Sequence, residues 1–141
     1  MLVRELTIEN IQSYTQETVE FEDGETLIYG KNGAGKSTLF RSVFGALFPG
    51  QGKYEIGAQF NLADFVRHEA DQGRIELTFE VGGQDYTVEW VIDSDGSTDT
   101  CELRSEALSN PASGVRDVEQ TISNDLLEMD ASSFISSVYV Q

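Results

Sequence analysis

One octapeptide constrains this chain more than anything else in it. Gly30-Lys31-Asn32-Gly33-Ala34-Gly35-Lys36-Ser37 fills every fixed position of the pattern G-x-x-x-x-G-K-[ST]. With ordinary residue frequencies, a chance match in a chain this long has odds of about one in two hundred. The surroundings agree: Thr26-Leu27-Ile28-Tyr29 reads as a short buried strand. Leu39, Phe40, Val43, Phe44 and Leu47 then recur at helical spacing, predicting a helix from Lys36 to Phe48 that stops at Pro49-Gly50. Between strand and helix, the glycines let the backbone curl so that successive N–H groups converge on an anion. The helix N-terminus adds unpaired donors and a partial positive charge. In such a loop Lys36 reaches the β- and γ-phosphates of a nucleotide, and Ser37 offers a hydroxyl to Mg2+. Lys31 occupies a free position and reads equally as a solvated lysine or a phosphate contact.

The rest of the chain organises around that unit. Leu2 to Glu9 alternates as a first strand, and after a break at Asn10 to Thr15, Thr18-Val19-Glu20-Phe21 forms a second. Asp23-Gly24 is a hairpin signal. Gln51 to Ala58 reads as loop, and Asn61 to Arg67 as a short helical turn with Leu62, Phe65 and Val66 inward. Arg74 to Val81 alternates, Gly82-Gly83 turns it, and Asp85 to Ile92 returns with Tyr86, Val88 and Trp90 on one side. A further strand is expected over Thr100 to Leu108, a break over Ser109 to Gly114, and a helix over Val115 to Met129. Asp130 can cap a last short helix. The class is therefore α/β, a mixed sheet around the phosphate-loop helix with an antiparallel meander. The end, Val138-Tyr139-Val140-Gln141, is strand material, which leads us to expect the front piece of a longer protein.

Composition narrows the partners. In 141 residues, enough for one modest domain, 9 Lys and Arg face 25 Asp and Glu, a formal charge of −16. That excludes a general basic face gripping nucleic acid by bulk electrostatics, and it disfavours an anionic membrane surface. The excess acid is spread along the chain, as expected for a salt-rich cytoplasm where screening shrinks self-repulsion. Cys101 is the only cysteine, so an internal disulfide or cysteine zinc cluster is excluded. The start lacks a signal peptide's apolar core, so a cytoplasmic location is expected.

The stretch Gly30 to Leu39, GKNGAGKSTL, resembles the phosphate loop of ABC-type ATPases of the SMC kind. The opening Ile8-Glu9-Asn10-Ile11-Gln12-Ser13-Tyr14, the Gly82-Gly83 strand pair, and the tail from Leu126 to Phe134 with Val138 to Gln141 are similar to the same group. Within it the chain is most similar to the amino-terminal ATPase lobe of the Rad-fifty/SbcC double-strand-break repair family. That resemblance implies ATP and Mg2+ enclosed by Gly30 and by Asn32, Gly33, Ala34, Gly35, Lys36, Ser37 and Thr38. It implies that Gln141 is the Q-loop glutamine at the metal and the attacking water, which with Lys36 makes the catalytic pair. It also places Val66, Arg67 and His68 where the family contacts nucleotide, though Arg67 reads equally as a surface arginine and His68 as a solvated loop histidine. The family carries Arg or Lys where this chain has Gln12, which can hydrogen-bond there but brings no charge.

What the chain lacks is equally informative. It contains no apolar strand ending in Asp-Glu, no Ser-Gly-Gly signature and no heptad coiled coil. The family places these in or just before a carboxyl-terminal half. By that pattern the partners are the carboxyl-terminal lobe of the same protein, a second head, double-stranded DNA ends and a Mre-eleven/SbcD-type nuclease, with no membrane. The 141 residues alone are expected not to turn over ATP. Alternatives are another SMC-like chromosome-maintenance ATPase, a transporter-type ABC subunit, a small kinase, or a nucleotide-binding module without hydrolysis.

Overall fold

The computed structural model describes residues 1–21, 34–50, 62–130 and 133–134. Period-two alternation builds most of it. The strands are β1 (Leu2–Ile11), β2 (Tyr14–Glu20), β3 (Gln72–Val81), β4 (Gln84–Asp93), β5 (Thr98–Arg104) and β6 (Ala112–Ser113). Among the described residues they form one sheet in the order β2-β1-β3-β4-β5-β6, with every pairing antiparallel. Segment 26–29, on which a mixed sheet depends, lies outside the described residues, as does the 23–24 turn.

Alternation sends Leu6, Ile8, Ile75, Leu77, Phe79, Val88, Trp90, Ile92 and Leu103 to one face, where all are buried. Helix α1 (Ala34–Leu47) covers that face with Val43, Phe44, Ala46 and Leu47. Burying each large apolar side chain contributes about 1.5–3 kcal/mol. Phe44, Phe48 and Phe134 add a ring cluster with centroids 5.4–5.9 Å apart. The short helix α2 (Leu62–Phe65) adds Phe65 to the core. Helix α3 (Val115–Gln120) covers the β5–β6 side with Val118, and the Gly50 N–H beyond the end of α1 donates to Glu119 Oε1 at 2.8 Å.

The opposite face is polar. Glu76, Glu89 and Glu102 stand directly across from one another on β3, β4 and β5, a row of like charges that would repel if left alone. Two arginines lie diagonal to it. Arg74 reaches Glu76 at 2.6 Å, Glu89 at 2.7 Å and Glu9 at 3.4 Å. Arg104 reaches Glu102 at 3.3 Å, Glu89 at 3.5 Å and Glu76 at 3.7 Å.

The structure departs from the periodicity in four places. The break expected over 10–15 is a two-residue turn at Gln12 and Ser13, so β2 begins at Tyr14. Strand β5 ends at Arg104, because Ser105 Oγ donates to the Asp85 carbonyl and accepts the Ala107 N–H, closing a turn. The break at 109–114 contains the short β6. The helix expected over 115–129 becomes π-helical at Thr121–Leu126. Val118, Ile122 and Leu126 recur every four residues, which drifts about 40° per step in a 3.6-residue helix. The wider coil keeps Ile122 fully buried and Leu126 packed on the core. Asp130 caps the last short turn as expected: its Oδ1 accepts the Ser133 N–H at 2.8 Å, and Ser133 and Phe134 are helical.

Candidate functional site

Gln12 and the Val66–His68 segment lie far apart in sequence, and the fold brings them together. The β1–β2 turn carries Gln12 and Ser13, and helix α2 delivers Val66, Arg67 and His68 beside it. Ile11 pairs with Val66 in an isolated antiparallel bridge. The Gln12 N–H donates to the Phe65 carbonyl and the Arg67 N–H to the Asn10 carbonyl, each at 2.8 Å. The Gln12 side chain adds a further bond, Nε2 donating to the Asp64 carbonyl oxygen at 2.6 Å. Gly73 permits the approach, since a Cβ there would lie 2.6 Å from Ile11 Cδ1 and 2.9 Å from the Asn10 oxygen.

Backbone strain concentrates at this spot. Asn10 and Gln12 both have φ 52° and Glu69 has φ 72°, the left-handed region that residues with a Cβ rarely occupy. Asn tolerates it; Gln and Glu do so only where the surroundings hold them there.

Between turn and segment opens a cleft of about 540 Å³, lined by Gln12, Ser13, Asp64, Arg67, His68 and Ser94 among others. That is the size of a small-molecule site. Val66 is 6% exposed, so its side chain belongs to the core and contributes wall, not a polar contact. Arg67 and His68 are exposed. Unlike Arg74 and Arg104, Arg67 has no carboxylate partner among the described residues, which matters in a chain this acidic. Sequence reasoning misses Ser94. The β4–β5 turn brings it in, and its N–H donates to the Asp71 carbonyl at 2.9 Å.

The phosphate loop is described only in part. Gly30, Asn32, Gly33 and Gln141 lie outside the described residues, while Ala34, Gly35, Lys36 and Ser37 are described as backbone, in the first turn of α1. Thr38, one turn into α1, is buried, and its carbonyl accepts the Ser42 hydroxyl at 2.8 Å. Among the described residues no three His, Cys, Asp or Glu side chains are grouped to hold a metal.

The helix opened by the phosphate motif and the antiparallel meander beside it are matched among known proteins. The AAA domain family's sequence profile matches residues 5–141, nearly the whole chain. The chain belongs to the AAA domain family. A relative from Halobacterium salinarum, a DNA double-strand break repair Rad50 ATPase, is 37% identical over 139 residues, 96% of this chain. A Rad50 ATPase from Methanosarcina mazei is 32% identical over 146 residues, all of this chain. The chain spans 15% and 13% of the lengths of these two relatives. As an AAA domain it also shares its fold with a structure solved for the ATP-driven dimerisation and DNA-stimulated activation of SMC ATPases. There the TM-score is 0.62 at 16% identity, covering 88% of this chain and 80% of that one. The acidic, lysine-poor composition fits the Halobacterium relative. Among the described residues of this AAA domain, no helix is long and apolar enough to cross a membrane.

Proposed function

We propose that this chain is the ATP-binding amino-terminal lobe of an SMC-like ATPase acting in DNA double-strand break repair in the cytoplasm. The complete Gly30–Ser37 motif leading into α1 carries the proposal. Backbone N–H groups of the loop and of the first helical turn cradle the β- and γ-phosphates. Lys36 places its ammonium on the terminal phosphates, where charge builds as the γ-phosphoryl group transfers. Ser37 and Gln141 would hold Mg2+, which neutralises phosphate charge when bound. Gln141 also orients water, and Thr38 closes the loop from within the helix. The cleft at Gln12, Val66, Arg67 and His68 flanks the nucleotide and supplies the cation that the acidic surroundings lack.

Turnover belongs to the assembled head. The carboxyl-terminal lobe contributes the Asp-Glu pair that this chain does not contain, and two heads close around two ATP. The closed dimer engages double-stranded DNA ends and controls a Mre-eleven/SbcD-type nuclease. Calorimetric titration with Mg·ATP tests the foundation. Lys36→Ala is expected to weaken binding at least tenfold, because a charge-assisted phosphate contact is lost. Equal affinity in both proteins would overturn the proposal.

A further inference from the structure

We infer that Gln12 is a positioning residue, a side-chain clip that holds Arg67 at the mouth of the cleft so that the arginine can take a phosphate-bearing ligand. The inference rests on the nucleotide reading above and assigns the parts within it. The amide nitrogen that Gln12 could offer to a ligand is already engaged, donating at 2.6 Å to the Asp64 carbonyl. Its own N–H is engaged too, on the Phe65 carbonyl. Both bonds anchor the segment that ends in Arg67, and the Ile11–Val66 bridge and the Arg67 N–H bond to Asn10 complete the attachment. Arg67 is thus fixed along its backbone while its guanidinium stays exposed, with no carboxylate partner among the described residues. A fixed backbone and an unengaged fork of donors suit bidentate recognition of phosphate oxygens. The left-handed conformation of Gln12, φ 52°, accompanies these bonds and is retained despite its cost.

A double-mutant cycle read out by titration of a fluorescent ATP analogue with Mg2+ tests this on the full 141-residue chain. Arg67→Ala is expected to weaken binding about tenfold and to flatten its dependence on KCl, since a phosphate-facing charge is removed. Gln12→Ala is expected to weaken binding about threefold to tenfold, with a similar flattening. Gln12→Gly, which suits the backbone conformation but lacks the clip, should behave like Gln12→Ala. The Gln12→Ala/Arg67→Ala double variant should bind within about twofold of Arg67→Ala alone, because the clip has nothing left to position. Multiplying losses in the double variant, or wild-type affinity in Gln12→Ala, would overturn the inference. Lys36→Ala in the same series separates the two levels. If that variant also binds normally, the nucleotide reading has failed, whereas its loss beside an additive cycle condemns only the clip.

Discussion

At the scale of single residues, Gly45 and Trp90 constrain each other closely. The indole is buried, and its Nε1 donates to Thr98 Oγ1 at 3.0 Å, so the ring cannot retreat. A Cβ added at Gly45 would stand 2.8 Å from Trp90 Cζ3. In an open helix Gly→Ala gains up to about 1 kcal/mol. Here overpacking costs about 1–3 kcal/mol and prevails. Gly45→Ala should therefore lower the urea-unfolding free energy by about 1–2 kcal/mol, and adding Trp90→Phe should recover part of it. Cys101 shows burial acting on chemistry: desolvation, with the Glu119 charge behind it, pushes its thiol up to about 12, so the folded protein keeps it protonated.

At the scale of elements, the polar face of β3, β4 and β5 makes stability depend on pH. The hydrogen bond from Arg74 holds the Glu89 carboxyl below its ordinary 4.5; burial opposes this, and the Arg74 and Arg104 charges reinforce it. Burial also pulls Arg74 down, but its bond to Glu89 and the nearby glutamate charges raise it overall. A carboxylate whose pKa falls on folding stabilises the fold above its unfolded pKa, and that contribution is lost as pH drops through the folded value. Glu89→Gln should cost about 0.5–1 kcal/mol at pH 7 and nothing well below about pH 4, measured by denaturant unfolding at both. A constant difference across that range would mean that packing, not charge, is responsible. The same elements mark what the sequence discloses. Strict alternation located β3 and β4 nearly to the residue, and Gly82-Gly83 marked the turn between them. The Gln12–Ser13 turn carries no glycine and no Asn-Gly signal, so its tightness shows only in the bonds that Phe65 and Val66 make to it. The four-residue apolar spacing of 118, 122 and 126 is in plain view, yet nothing local says that the backbone widens to follow it. Gln12 meets the Arg67 segment only through the tertiary fold, and no residue pattern announces that meeting.

At the scale of the whole molecule, 25 acidic against 9 basic residues leave repulsion the dominant long-range term. Salt weakens the Arg74 and Arg104 pairs as well, but these involve few of the carboxylates. The melting temperature should climb between about 0.1 M and several molar KCl, as the Debye length falls from about 10 Å to below roughly 3 Å. A flat or falling melting temperature would remove the salt-adapted reading and leave the phosphate loop untouched. The pairing of the first strand with the third has a consequence in time. β3, β4 and β5 are joined by short connections and can zip as soon as they exist, whereas Glu9 meets Arg74 only across a separation of 65 residues. Closing the longer loop costs more entropy and comes later. The β1–β2 hairpin closes early through its two-residue turn, so pulsed hydrogen exchange during refolding should protect amides within β1–β2 and within β3–β4–β5 before those that bridge β1 to β3. The cleft lies between the β1–β2 turn and the segment after α2, so it takes shape last, after the scaffold that carries it has already set.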